Sequence, residues 1–169
     1  MYTLSETSLK MLKGVHPNLV NFMTELIKIS PWNFKITAGV RTAEEQNRLY
    51  QKGRTAPGAK VTNVDGYKLK SNHQVKFNGL GYAADIGVLV KEKVKVSVME
   101  NGKKVEKIVE KLVYKGDWRD FHYYQDIYNT AKNAGLLEKY GIEWGGNCWR
   151  TFKDAPHWQI KGADKVAYK

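Results

Sequence analysis

Two histidines and two aspartates in this 169-residue chain stand where they could share one reaction centre. His73 and Asp85 close the two ends of SNHQVKFNGLGYAAD, whose Gly and Ala residues let the backbone fold tightly around whatever the side chains hold. Asp154 and His157 lie three residues apart in DAPHWQI, with Pro156 fixing the backbone between them. Two imidazoles and one carboxylate (His73, His157 and Asp85) make a common catalytic zinc shell, with the fourth tetrahedral position open to water. Harder, oxygen-preferring ions would want more carboxylates. An acid as near to His157 as Asp154 can act as general base toward an attacking water. The same residues admit a plainer account: Asp85 as the polar end of a strand, Asp154 as a capping residue before an edge strand. His16, beside Pro17, and His122, within an aromatic helix, have no local partners and read as turn and packing residues. The His-Glu-x-x-His helix of many zinc peptidases does not occur.

The elements that must position these groups can be traced along the chain. SETSLKMLKG carries a Ser or Thr cap, Leu9 and Leu12 at helical spacing and a stop at Gly14. Pro17 opens a second helix, with Leu19, Val20, Met23, Leu26 and Ile27 on one face and Ser30-Pro31 at its end. NFKITAGV alternates as a strand. RTAEEQNRLYQKG is a short helix capped by Thr42, with Glu45 three residues on and Gly53 closing it. A long polar loop follows, turning at Pro57-Gly58 and Asp65-Gly66. GYAADIGVLV predicts a central strand. Residues 91–115 hold eight lysines against four glutamates; Val94, Val96 and Val98 alternate and Asn101-Gly102 predicts a hairpin, although the return arm also fits helical spacing. DWRDFHYYQDIYNTAKNAG predicts an amphipathic helix from an Asp117 cap to a Gly135 stop, and IEWGGNCWRTFKDAPHWQI a Gly turn followed by a short strand. No repeat or linker interrupts the pattern, so the expectation is one α+β domain over residues 1–169.

Composition bounds the partners. Hydrophobic residues make up 42%, including five Trp and ten Tyr, which is enough for a real core and excludes a disordered chain. The net charge of +11 predicts anionic partners: nucleic acid, an acidic membrane face or an acidic cell-envelope polymer. No recognition helix, zinc-finger spacing or aromatic RNA-binding signature favours specific nucleic-acid binding. Cys148, the single cysteine, rules out an intramolecular disulfide. The N-terminal residues lack the pattern of a secretory signal and no apolar run reaches the length of a membrane span. A monomer made in the cytoplasm, with outside help for any export, is the expectation.

Four segments, SLKMLKGVHPNLV, ITAGVRTAEEQNRLYQKGRTAPGAKVT, SNH…GLGYAADIGV and EWGGNCWRTFKDAPHWQI, resemble in order and wording the phage endolysins that are L-alanyl-D-glutamate peptidases. These belong with the zinc D-Ala-D-Ala carboxypeptidases and dipeptidases. The resemblance implies a small antiparallel sheet with helices packed around it, and one Zn2+ held by His73, Asp85 and His157. It makes Asp154 the acid/base and Arg41 the group that orients the substrate carbonyl and stabilises the oxyanion. It implies that Ser71 supports a ligand or contacts substrate, and that the Trp144-Gly145-Gly146 turn walls the cleft. The implied substrate is the stem peptide of peptidoglycan, cut between L-Ala and D-Glu after release of the enzyme from the host cytoplasm; D,D-carboxypeptidase action and a non-catalytic zinc module are the alternatives. The family spaces its first His seven positions before its Asp, whereas His73 lies twelve before Asp85 and Asn78 stands at the family position. VKFNG, residues 75–79, is accordingly read as an insertion in the loop after the ligand.

Overall fold

The computed structural model describes residues 1–148 and 153–169. Residues 149–152, in the segment expected to form a Gly turn before the last strand, lie outside the described residues.

The architecture is set by one long strand. β1 (Asn33–Ala38), β2 (Ala83–Glu100), β3 (Lys103–Lys115), β4 (Ile142–Trp144) and β5 (His157–Ile160) form an antiparallel sheet in which β2 pairs with β1, β3 and β5. β1 lies along one edge of β2; the other edge is shared end to end by β5, opposite Ala83–Asp85, and β3, opposite Val88–Glu100. The predicted central strand and the outgoing arm of the hairpin are thus a single 18-residue strand. The return arm is a strand as well, because Val90, Val94 and Val98 face Val113, Val109 and Val105 across the ladder. Such cross-strand valine pairs outweigh the helical spacing of the same residues. Asn101 and Gly102, both at positive φ, close the turn as expected.

Helices cover the inner face of the sheet. α1 (Glu6–Met11) is capped by Ser5; α2 (Pro17–Ile29) begins with Pro at N1, and the His16 ring accepts from Asn18 N–H at its N-cap. Leu19, Phe22, Met23, Leu26 and Ile27 of α2 are buried against Ile36, Ile86, Val88, Trp144 and Trp158, which forms the main hydrophobic core. α3 (Ala43–Gln51) has the expected reciprocal cap between Thr42 and Glu45.

Three details differ from the sequence reading. Asp117 caps a short 3-10 turn, Trp118–Asp120, and the α-helix proper, α4, runs Phe121–Asn133. Gly135 adopts a left-handed conformation and leads into a further helix, α5 (Leu136–Tyr140), too short for periodicity to reveal. The expected Gly turn after β4 is instead helical over Gly145–Cys148, α6. Close packing explains the glycine here, since a Cβ on Gly146 would lie 2.3 Å from the Trp144 ring.

Candidate metal centre

His73 sits on a loop sewn to the end of β1 by the backbone. Arg41 N–H donates to the His73 carbonyl at 3.0 Å, Tyr82 N–H to the Asn72 carbonyl at 2.8 Å, and Gly81 N–H to the Gly14 carbonyl at 2.9 Å. The small residues of the motif permit this: a Cβ on Gly81 would lie 3.1 Å from the His73 carbonyl oxygen, and one on Gly39 only 1.9 Å from that of Met11. The His73 ring is buried, with Nδ1 2.8 Å from the Gly39 carbonyl oxygen. A carbonyl only accepts, so Nδ1 carries the proton and Nε2 presents a lone pair inward.

Asp85 and His157 are direct partners in the β2–β5 register. That pairing places His157 Nδ1 3.1 Å from Asp85 Oδ1; His73 Nε2 lies 3.1 Å from the same oxygen and 3.3 Å from His157 Nδ1. On the far side of the His157 ring, Nε2 is 2.9 Å from Gln159 Oε1. Gln159 is itself oriented, because its amide donates to Glu143 at 2.7 Å and its oxygen accepts from Asn72 at 2.9 Å. Each imidazole therefore gives its proton to an outer oxygen and turns its other nitrogen to the same point, the arrangement that metal-binding histidines require. One ligand atom from each of His73, Asp85 and His157 lies within 4.8 Å of the others, and the set is compatible with one metal ion.

The electrostatics agree with that fit. Burial lowers the pKa of His73, partly opposed by the Asp85 charge, which favours the neutral ring a metal needs. Asp85 is held well below the usual carboxylate range: burial acts against ionisation, but His73 and His157 outweigh it. For His157 burial again works downward, yet the hydrogen bond and charge of Asp85 and the charge of Asp154 leave it raised. The cluster thus favours added positive charge between these side chains.

A cavity of about 440 Å³ opens over the triad, lined among others by Arg41, Ser71, His73, Asp85, Tyr114, Asp154 and His157. Asp154 is placed by its N–H, which donates to the Gly145 carbonyl at 3.1 Å, and by its carbonyl, which accepts from His157 N–H at 3.2 Å. Its carboxylate is not among the mutually close ligand atoms. Burial, reinforced by the Asp85 charge, pushes its pKa up to about 6. Arg41 donates through Nη2 to the outer oxygen of Asp85 at 3.1 Å and through Nη1 to Gln46 Oε1 at 2.9 Å. Ser71 Oγ accepts from His73 N–H at 3.3 Å, and the side chain borders the cavity. A second cavity, of about 600 Å³, shares Thr37, Arg41, Leu49 and Lys52 with the first and adds Lys10, Lys13 and Arg48 to its walls.

Trp144 does not border the triad's cavity as expected of a cleft wall. It is 1% exposed, stacked on Tyr128 with ring centroids 4.8 Å apart, and its indole N–H donates to the Ala155 carbonyl at 2.7 Å. Its effect on the site runs through the backbone next to Asp154. Asn78 stands apart from the ligands: its amide donates to the Tyr82 hydroxyl at 2.9 Å and its oxygen accepts from Leu80 N–H at 3.2 Å.

Sequence reasoning passed over Gln159, Gly39 and Tyr114. Gln159 had a usable signal, since residues i and i+2 of a strand share a face and His157 was already singled out. Gly39 and Tyr114 had none, because their contacts join segments distant in sequence.

Comparison with known proteins agrees with this fold. The protein resembles, at 25% identity and a TM-score of 0.58, the crystal structure of Serratia marcescens L-Ala D-Glu endopeptidase ChiX, over 95% of this chain and 90% of that one. The peptidoglycan L-alanyl-D-glutamate endopeptidase CwlK of Bacillus subtilis (strain 168) is 30% identical over 125 residues, 74% of this chain. The match spans 59% of the length of that relative. The signature of the phage L-alanyl-D-glutamate peptidases matches residues 1–115, which include His73, Asp85, Arg41 and Ser71. The chain belongs to the phage L-alanyl-D-glutamate peptidase family.

Proposed function

We propose that this protein is a zinc-dependent endopeptidase that hydrolyses the bond between L-Ala and D-Glu in peptidoglycan stem peptides, lysing the host wall once it leaves the cytoplasm. The observation that carries the reading is the convergence of His73 Nε2, His157 Nδ1 and Asp85 Oδ1 beneath a cavity that also holds Asp154. A zinc ion held by the three ligands supplies Lewis acidity, lowering the pKa of water to roughly 7 and polarising a carbonyl.

The chain's own residues do the rest. Asp154, its carboxyl raised toward neutrality by burial, takes the proton of the attacking water and passes it to the leaving amine. Arg41 fixes the outer oxygen of Asp85 and lines the cavity, where its positive charge stabilises a carbonyl oxygen that gathers charge. Gly39 and Gln159 hold the two imidazoles in the tautomers that present Nε2 of His73 and Nδ1 of His157. Lys10, Lys13, Arg48 and Lys52 make the adjoining cavity positive, which suits a substrate rich in carboxylates. A carboxypeptidase must hold a free C-terminal carboxylate beside the metal, whereas Arg41, the one arginine lining the triad's cavity among the described residues, is engaged with Asp85.

Purified peptidoglycan digested with and without chelator, and read by mass spectrometry, tests this. The expected products are peptides beginning with D-Glu and glycan strands bearing L-Ala alone, formed only without chelator. Asp154→Asn should abolish them while one equivalent of zinc stays bound. Release of free D-Ala with the L-Ala–D-Glu bond intact would instead identify a carboxypeptidase, and loss of zinc from Asp154→Asn would make Asp154 a ligand.

A further inference from the structure

The pairing register fixes which side chains share the face of β2 that carries Asp85. Side chains alternate along a strand, so Gly87, Leu89, Lys91, Lys93, Lys95, Ser97 and Met99 follow Asp85 on that face. The ladder sets Tyr114, Leu112, Glu110, Ile108, Glu106 and Lys104 opposite Leu89 through Met99 in turn. β1 ends its pairing at Leu89, so the next ten or so residues of β2 have β3 as their partner. At about 3.3 Å per residue the two-stranded ribbon reaches roughly 30 Å past the sheet.

Its two faces differ. On the opposite face valines pair across the ladder, Lys107 bonds Glu100, and Lys115 bonds Glu92. On the Asp85 face Lys91, Lys93, Lys95 and Lys104 form no ion pair among the described residues, and three of them repeat along one strand about 6.6 Å apart. Between and beyond them stand Leu112, 52% exposed, Ile108, 66%, and Met99, 70%. The row starts at the wall of the cavity over the triad with Tyr114, whose ring lies over two glycines: a Cβ on Gly87 or Gly116 would come within 2.5 or 2.3 Å of it. Glu110 faces Lys93 across the ladder, but Lys91 and Lys95 face Leu112 and Ile108. Cations and uncovered apolar side chains thus alternate along this side, and such an arrangement, which adds little to stability, marks a functional surface.

We infer that the Asp85 face of the β2–β3 ribbon is a docking track for the peptidoglycan strand whose stem peptide enters the metal cavity. The track rests on the function proposed above. It is continuous with the cleft from Tyr114 outward, its unpaired lysines complement the carboxylates of neighbouring stem peptides, and its apolar residues offer flat contact for sugar faces. A bilayer is the poorer fit, because Glu106 and Glu110 lie among the apolar residues of that face.

Two variants test it. In one, residues 93–110 are replaced by Asn-Gly, which joins the facing residues Glu92 and Lys111 through a two-residue turn. In the other, Lys93→Glu, Lys95→Glu and Lys104→Glu reverse the charge of the full-length ribbon. For both, KM on insoluble sacculi should rise about tenfold at 0.15 M salt, while kcat/KM on a soluble stem peptide stays within about twofold of wild type. The charge-reversed chain should also show a weaker salt dependence of sacculus binding than wild type. Equal changes on both substrates, or none on sacculi, would overturn the track. Ribbon-dependent binding to anionic phospholipid vesicles with unchanged KM on sacculi would overturn it in favour of a membrane. If wild type cleaves neither substrate, the peptidase reading fails, and co-sedimentation of intact and shortened chains with sacculi still decides whether the track exists.

Discussion

The two halves of β2 are built for different tasks. From Ala83 to Val88 the strand is hemmed in by β1 on one edge and by β5 and β3 on the other, and Ala83, Ala84, Ile86 and Val88 are fully buried. From Lys91 to Met99 exposed and half-buried residues alternate, with β3 as the neighbouring strand. The first half holds Asp85 opposite His157 in the ladder, the setting on rigid elements that preorganised ligands need. The second half stands outside that buried core, and its side chains are exposed or half-buried. One strand thus combines a buried, fixed half and an exposed arm, with the change at Val88–Leu89, where pairing with β1 stops.

The largest expected effect falls on the fixed half. His73→Ala should reduce zinc affinity by more than about 100-fold, beyond what loss of an outer-shell partner costs, and leave no measurable hydrolysis. Asn78→Ala should keep both within about twofold, because Asn78 bonds Tyr82 and Leu80 rather than the triad. Zinc titration of both variants checks the pair. The opposite pattern would place the insertion on the wrong side of the ligand and dissolve the fixed centre described here.

Asp154→Asn probes the electrostatic cost of the same region. Its carboxyl is raised from 3.8 to about 6 by burial and the Asp85 charge. The fold therefore favours the protonated form: that contribution is complete below pH 3.8 and lost as pH rises through about 6. Two pKa units correspond to about 3 kcal/mol. In the chelated protein at pH 8, Asp154→Asn should be more stable than wild type by up to that amount, with the difference vanishing near pH 3.5. Urea unfolding at the two pH values measures it, and equal stabilities at pH 8 would mean that Asp154 is solvated rather than poised by burial.

How much of this was legible in the sequence depends on the range of the interaction. Caps at Ser5, Thr42 and Asp117, the Asn101-Gly102 turn and the amphipathic α2 are local, and the residues declare them. The three candidate ligands were legible through residue chemistry and resemblance, and the fold brings them together. The long-range partners were not. Nothing local says that the His73 ring meets the Gly39 carbonyl, that Arg41 engages Asp85 rather than standing free, or that Trp144 turns into the core to hold Ala155. Such contacts are fixed by strand register, which spacing within one segment does not reveal.

Gln159 offers a sharper, smaller test of the fixed half. Gln159→Leu keeps the bulk of the side chain but removes the oxygen that accepts from His157 Nε2 and disconnects Asn72 and Glu143 from the network. Zinc affinity should fall by about 10–100-fold while the three ligands remain. An unchanged affinity would show that the β2–β5 register alone orients His157.

The smallest effect should come from the distal half, by way of one matched pair. Val88 is fully buried in the core, whereas Val94 is half-buried and packs across the ribbon on Val109. Val88→Ala removes core contacts and should cost about 2 kcal/mol of global stability. Val94→Ala weakens one cross-strand pair worth roughly 0.2–1 kcal/mol. Because the ribbon has little else to hold it, that loss should register as faster local opening rather than as global unfolding. In hydrogen exchange, amides of residues 91–112 should lose protection in Val94→Ala while those of residues 83–88 keep theirs; Val88→Ala should lower protection throughout the core. If Val94→Ala reduces protection at Asp85 as much as in the ribbon, the halves of β2 form one cooperative unit, and whatever binds the arm is then felt at the ligands.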